Sequence, residues 1–142
     1  MSDFNSNLIA QIRAGGGHLI DGPFAGRPVL ILTTTGAKSG ESREAPLVYS
    51  RDGNDIVIVA SMGGAPSHPS WYHNIVANPR VTIEVDGQKL QADAHFAEGD
   101  ERRRLYDQHA ELHASFSEYE AKTGGRVIPV VVLQGVKATA AA

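Results

Sequence analysis

A mainly β domain of the α+β class, folded as a small antiparallel barrel, is what this sequence predicts, and three observations carry that expectation. About six short segments rich in β-branched and aliphatic residues recur along 142 residues, which is the length of one domain. Two pairs of them are joined by turn residues, Asp52-Gly53-Asn54 and Asp86-Gly87, the short-range signal of antiparallel hairpins. Helical periodicity is confined to a few stretches, too few for a βαβ sheet, in which every parallel pair needs a crossover.

Taken in order, residues 3–14 place Phe4, Leu8, Ile9 and Ile12 at near-helical spacing, so they predict a short amphipathic helix that Gly15, Gly16 and Gly17 terminate. Such a helix packs on the domain edge or forms a lid or membrane-surface contact. Residues 28–35 (PVLILTTT) are short, apolar and β-branched, the pattern of a buried strand. Residues 45–51 and 55–61 flank the first turn and read as a hairpin; 80–85 and 89–96 flank the second. In the latter strand Leu90, Ala92, Ala94 and Phe96 alternate with Lys89, Gln91, Asp93 and His95, which predicts one buried and one wet face. Residues 69–77 and 98–112 predict two helices, the second with Leu105, Gln108, His109 and Leu112 on one stripe and a solvated Glu101-Arg102-Arg103-Arg104 run. Residues 127–133 predict a last strand. The expected organisation is one domain, 1–142, with its first helix within 1–16 and a flexible tail at 137–142.

Composition narrows the function. Thirteen Lys and Arg against sixteen Asp and Glu give a net charge of −3, the wrong sign for a nucleic-acid binder. There is no cysteine, which excludes disulfides, thiolate catalysis and Cys-based metal sites. No apolar run approaches the roughly 20 residues of a membrane helix, and a cytoplasmic protein is expected. His109 and His113 are spaced i, i+4 but form His-Ala-Glu-Leu-His, with the glutamate misplaced for a zincin and no third ligand; no metal is expected.

Three concentrations of residues suit a ligand. Thr33-Thr34-Thr35-Gly36-Ala37-Lys38-Ser39-Gly40, followed by Arg43, leaves a strand through a glycine-bounded reversal. Such a loop can aim backbone N–H groups at a phosphate, with Lys38 and Arg43 as charge partners. It is not a Walker A loop, and no G-x-G-x-x-G opens a helix. Ala60-Ser61-Met62-Gly63-Gly64-Ala65-Pro66 leaves a second strand, and adjacent glycines admit close backbone approach. His68-Pro69-Ser70-Trp71-Tyr72-His73-Asn74 gathers the only tryptophan with a tyrosine, two histidines and an amide, a set suited to an extended ring with polar edges. The plain alternatives are a polar hairpin, a flexible turn, and a helix whose tryptophan anchors it while His73 and Asn74 satisfy backbone groups.

In order along the chain, these segments resemble the deazaflavin-dependent nitroreductase family, also described as coenzyme F420-dependent quinone reductases. The resemblance runs from about Gly26 to Val136 and is completed by Pro46, by Asn78-Pro79-Arg80-Val81 and by Arg126-Val127-Ile128-Pro129-Val130. It implies a split β-barrel of the flavin-reductase type with a few flanking helices and F420 in a groove. Carried over by position, Lys38, Ser39 and Arg43 would hold the cofactor phosphate, with Ala37 beside them as a further cofactor-binding residue. Glu44, Ala45, Pro46 and Leu47 with Val59, Ala60, Ser61, Met62, Gly63 and Gly64 would line the ring and its linker, and Ser70, Trp71, Tyr72, His73 and Asn74 would close the other side. His113, Phe116 and Tyr119 would form the substrate pocket, with Tyr119 or Ser61 as candidate proton donor.

The implied chemistry is hydride transfer, because a 5-deazaflavin has carbon where flavin has its reactive nitrogen. The acceptor would be a quinone, an activated enone or an electron-poor nitroaromatic. Three positions depart from the family: nitroreductase members tend to carry tyrosines where this chain has His113 and Phe116, and a lysine is common where it has Met62. An FMN-dependent enzyme on the same barrel and an F420 carrier without turnover are the rival readings. A homodimer, and peripheral membrane contact through the first helix, are further expectations.

Overall fold

The computed structural model describes residues 3–19, 25–26, 28–61, 68–113, 116–123 and 127–138. Its elements are α1 (Asp3–Ala14), β1 (Val29–Thr35), β2 (Ser42–Val48), β3 (Ser50–Asp52), β4 (Asp55–Val59), α2 (Ser70–Ala77), β5 (Arg80–Val85), β6 (Gln88–Phe96), α3 (Gly99–Leu112), α4 (Phe116–Lys122) and β7 (Val130–Ala138). The seven strands form one antiparallel sheet in the order β2-β1-β5-β6-β7-β4-β3. Its two edge strands, β2 and β3, are separated in the chain by Tyr49 alone. A sheet whose opposite edges are joined by one residue must curl until those edges meet, and the result is a split barrel. Tyr49 is the seam: its ring is buried in the barrel and its N–H donates to the Pro28 carbonyl at 3.1 Å.

The apolar runs and the alternating strands differ because only some strands are covered outside. On β1, Leu30 and Leu32 point into the barrel while Val29 and Ile31 meet Ile9, Ile12 and Leu19. On β4 and β7, Ile56, Ile58, Val131 and Leu133 point inward, and Val57, Val59, Val130 and Val132 meet Leu105, Tyr106 and Phe116. Both faces of these strands are dry, so they read as continuous apolar runs. β5 and β6 have Val81, Ile83, Val85 and Ala92 inside with polar residues outside, which gives the expected alternation.

Three sequence expectations are corrected. Residues 45–51 are not one strand: Ala45 to Val48 pair with β1, and Ser50 to Asp52 pair with β4. The last strand starts at Val130 and continues through Lys137 and Ala138, which pair with Gln91 and Leu90 rather than starting a flexible tail. On α3 the buried residues are Leu105, Tyr106 and His109, whereas Leu112 is exposed. α1 is fastened at its end. Gly17 has φ +101, and a Cβ there would stand 2.3 Å from the Gly87 nitrogen, so only glycine lets the helix terminus meet the β5–β6 turn. The apolar stripe of α1 is used in packing, with Ile9 and Ile12 buried against β1.

Candidate active site

A groove of about 1230 Å3 follows β2, lined by all of Arg43, Glu44, Ala45, Pro46, Leu47 and Val48. Five residue steps of strand make it roughly 17 Å long. Pro46 is tolerated because β2 is an edge strand. The groove's character changes along the strand, from the cationic loop beside Arg43 to aromatic and aliphatic side chains beside Val48.

The cationic end is a turn held by its own backbone. The Gly36 N–H donates to the Glu41 carbonyl (2.7 Å), the Gly40 N–H to the Gly36 carbonyl (3.0 Å), and the Glu41 N–H to Ser39 Oγ (3.2 Å). The Ala37 N–H donates to Asn74 Oδ1 at 3.0 Å, and Asn74 Nδ2 donates to Thr34 Oγ1 at 3.1 Å. The buried Asn74 is therefore a strut between α2 and this loop. Among the described residues, the loop N–H groups left without an internal acceptor are those of Lys38 and Ser39. Both side chains are exposed, and Arg43 stands over the same end with one guanidinium nitrogen 3.3 Å from Glu41.

α2 forms one wall through Ser70, Trp71, His73 and Asn74. Tyr72 faces the opposite side of the helix, edge-on to Phe96 at 5.9 Å, and does not line the groove. Val59 and Ser61, at the end of β4, are lining residues, whereas Ala60 between them is fully buried in the barrel core. Met62, Gly63 and Gly64 lie outside the described residues.

Phe116 and Tyr119, one turn apart on α4, line the other end, with rings 4.9 Å apart and edge-to-face. His113, expected beside them, is fully buried behind Phe116 and does not line the groove. Its imidazole is used at the barrel seam, where Nε2 donates to the Tyr49 carbonyl at 3.0 Å. His109 Nδ1 shares a 2.9 Å hydrogen bond with Ser50 Oγ, and burial, then the neighbouring His113, push its pKa down to about 3. It is a neutral core residue at physiological pH.

Leu8, Ile12, Leu19, Val29 and Val48 complete the apolar end, with Thr34 and Pro69 further along the walls. Sequence analysis did not assign the five residues of the apolar end to the site. The Leu8 to Ile12 spacing showed that α1 has a buried face, and nothing local to the helix states what covers it.

The donor set fits an anionic, ring-bearing cofactor: two N–H groups, a lysine and an arginine at one end, and an apolar strand floor beside a tryptophan. The volume exceeds that of an ordinary small-ligand pocket. Residues 7–135 match the family model of the F420H(2)-dependent quinone reductases. The chain belongs to this family. An F420H(2)-dependent quinone reductase of Mycobacterium tuberculosis (strain ATCC 25618 / H37Rv) is 42% identical over 120 residues, covering 82% of this chain and 78% of that protein. The solved structure of an F420-H2 dependent reductase superposes with a TM-score of 0.69 at 40% identity, over 76% of this chain and 95% of that one. A chain solved as a domain-swapped dimer gives 0.71 at 36% identity, over 93% and 98%. A heme-binding protein of Mycobacterium smegmatis gives 0.57 at 18% identity, over 80% of this chain and 52% of that one, a likeness of fold alone. Membership makes this F420H(2)-dependent quinone reductase family member an F420-dependent oxidoreductase on a split barrel. Of the two cofactors considered from sequence, F420 and FMN, the family designates F420.

Proposed function

We propose that this protein reduces a flat, conjugated organic acceptor, with a quinone as the first candidate and activated enones and electron-poor nitroaromatics as the alternatives, in the groove along β2. What carries the reading is the polarity of that groove, with anion donors at the Arg43 end and aromatic walls at the Val48 end. When bound, reduced F420 supplies a hydride. Lys38, the Ser39 N–H and Arg43 would hold its phosphate, and Ala45, Leu47 and Val59 would form an apolar bed for its ring. Phe116 and Tyr119 would stack against the acceptor and exclude water from the site of transfer. The accompanying proton needs a donor, and the candidates are Tyr119, which lines that end, and Ser61, which lines the groove beyond Val59.

Support for membrane contact through α1 is weaker than the sequence suggested, since Ile12 is buried and Leu8 turns into the groove. No helix among the described residues is long and apolar enough to cross a membrane, and we place the protein in the cytoplasm, paired as a homodimer. The test is a fluorescence titration with F420 and, in parallel, FMN, followed by turnover of reduced F420 with a panel of quinones, enones and nitroaromatics. Tight F420 binding with quinone turnover is the expected result. Binding without turnover of any acceptor would leave a carrier and sink the proposed reaction.

A further inference from the structure

α4 is seven residues long, below the length at which a helix holds itself together in water. It nevertheless presents both aromatic side chains of the acceptor end. Its position must come from outside, and the contacts show where. The Tyr106 hydroxyl, buried on α3, donates to the Phe116 carbonyl at 2.5 Å. The Phe116 ring lies edge-to-face on His109, centroids 4.5 Å apart, and the Phe116 N–H donates to the His113 carbonyl at 3.0 Å. α3 is itself tied to the barrel: His109 to Ser50, Gln108 Nε2 to the Arg51 carbonyl at 2.6 Å, and Arg102 Nε to the Ile128 carbonyl at 3.0 Å. The Tyr106 ring sits beneath the Arg103 and Arg102 guanidinium groups at 5.1 and 5.4 Å, which restrains the ring plane.

We infer that Tyr106 and His109 are positioning residues for the reaction: from the buried side of α3 they set where Phe116 and Tyr119 stand in the groove. Neither lines the groove, and neither touches the cationic end, so their effect is specific to the acceptor. The inference rests on the reading that the acceptor occupies the Phe116–Tyr119 end.

Tyr106→Phe tests it, because the ring stays in the core and the hydroxyl that donates to the Phe116 carbonyl is removed. The expected result is a KM for the quinone raised roughly two- to tenfold, the scale of one hydrogen bond, with the F420 dissociation constant unchanged. Amide hydrogen exchange should quicken in residues 116–122 and stay constant in β4 and β7. Phe116→Leu, which alters the wall directly, is the companion variant. If it raises the quinone KM while Tyr106→Phe does not, the positioning role is wrong and the acceptor site stands. If neither changes that KM, the acceptor lies elsewhere, and both readings fail. A parallel loss of F420 affinity, kcat and strand protection in Tyr106→Phe would mean a general core defect and would also overturn the assignment. Should Tyr106→Phe not fold, His109→Gln with the same three readouts replaces it.

Discussion

The two ends of the groove are built by opposite means. At the cationic end, a six-residue loop closes on its own backbone, and one long-range strut from Asn74 sets its angle to α2. Its functional groups are exposed and make few commitments to the fold. At the aromatic end, the side chains that line the groove belong to a helix that cannot stand alone, supported by Tyr106, His109 and His113 in the interior. Binding groups that owe little to the core can be changed at little cost to stability. Groups supported from the core cannot, because removing a whole ring there opens a cavity as well as moving the wall of the groove.

The largest effect should follow from stripping the cationic end. Lys38→Ala and Arg43→Ala each remove a charged donor, and each should weaken F420 by about 1.5–3 kcal/mol, the range for hydrogen bonds to charged groups. Arg43 is already shared with Glu41, which places its loss toward the lower figure. The unfolding midpoint should hardly move, since both side chains are exposed. Titration with F420 and urea denaturation of the same preparations check the two halves. An unchanged dissociation constant in both variants would remove the loop from the site.

That contrast also explains what the sequence made legible. The loop was visible because its chemistry is local: a strand end, two bounding glycines, two cations and a serine within a few residues. The barrel was visible because covered strands read as apolar runs and half-covered strands alternate. The partner switch at Tyr49 was hidden, since it depends on the sheet closing and residues 45–51 form an unbroken extended stretch either way. α4 was hidden for a related reason, its seven residues carrying too little periodicity to be distinguished from a loop. His113 was assigned to the pocket by the resemblance, which carries a position over without showing on which side of Phe116 its ring lies. Asn74 lines the groove as expected and also accepts from the Ala37 N–H, so the structural contact does not take it out of the site.

The aromatic end has its own signature in acid. His109 is neutral in the folded protein, with its pKa pushed down to about 3, whereas in the unfolded chain it takes a proton near pH 6.5. Below that pH the unfolded state binds a proton that the native state refuses, so stability falls as pH falls, at about 1.4 kcal/mol per unit until the folded value is reached. Above pH 6.5 the effect is absent. Urea denaturation at pH 7.5, 6 and 5 should show the decline, and His109→Gln should flatten it relative to the parent. Equal slopes in the two proteins would mean that His109 is not held neutral. The Glu84 carboxyl, held below the usual range by Arg13, and that of Asp52, held there by Arg104, titrate in more acidic solution and do not imitate this window.

The smallest effect is expected at Arg13, which joins α1 to β2 and β5. Its guanidinium reaches Glu84 on β5 at 2.6 Å and Glu44 on β2 at 2.5 Å. All three side chains are partly exposed, so solvent screens the attraction, and Arg13→Gln should lower stability by at most about 1 kcal/mol. The consequence for binding is more telling. Glu44 lines the groove next to Arg43, and without Arg13 its charge is less compensated where an anionic cofactor must settle. F420 affinity should fall by roughly two- to threefold at low ionic strength, and the difference should vanish at about 1 M salt, where the Debye length is near 3 Å. A loss that persists in high salt would show that α1 contributes shape rather than charge. The groove would then have a third structural support, and the division between a locally built end and a core-supported end would have to include the helix that spans them.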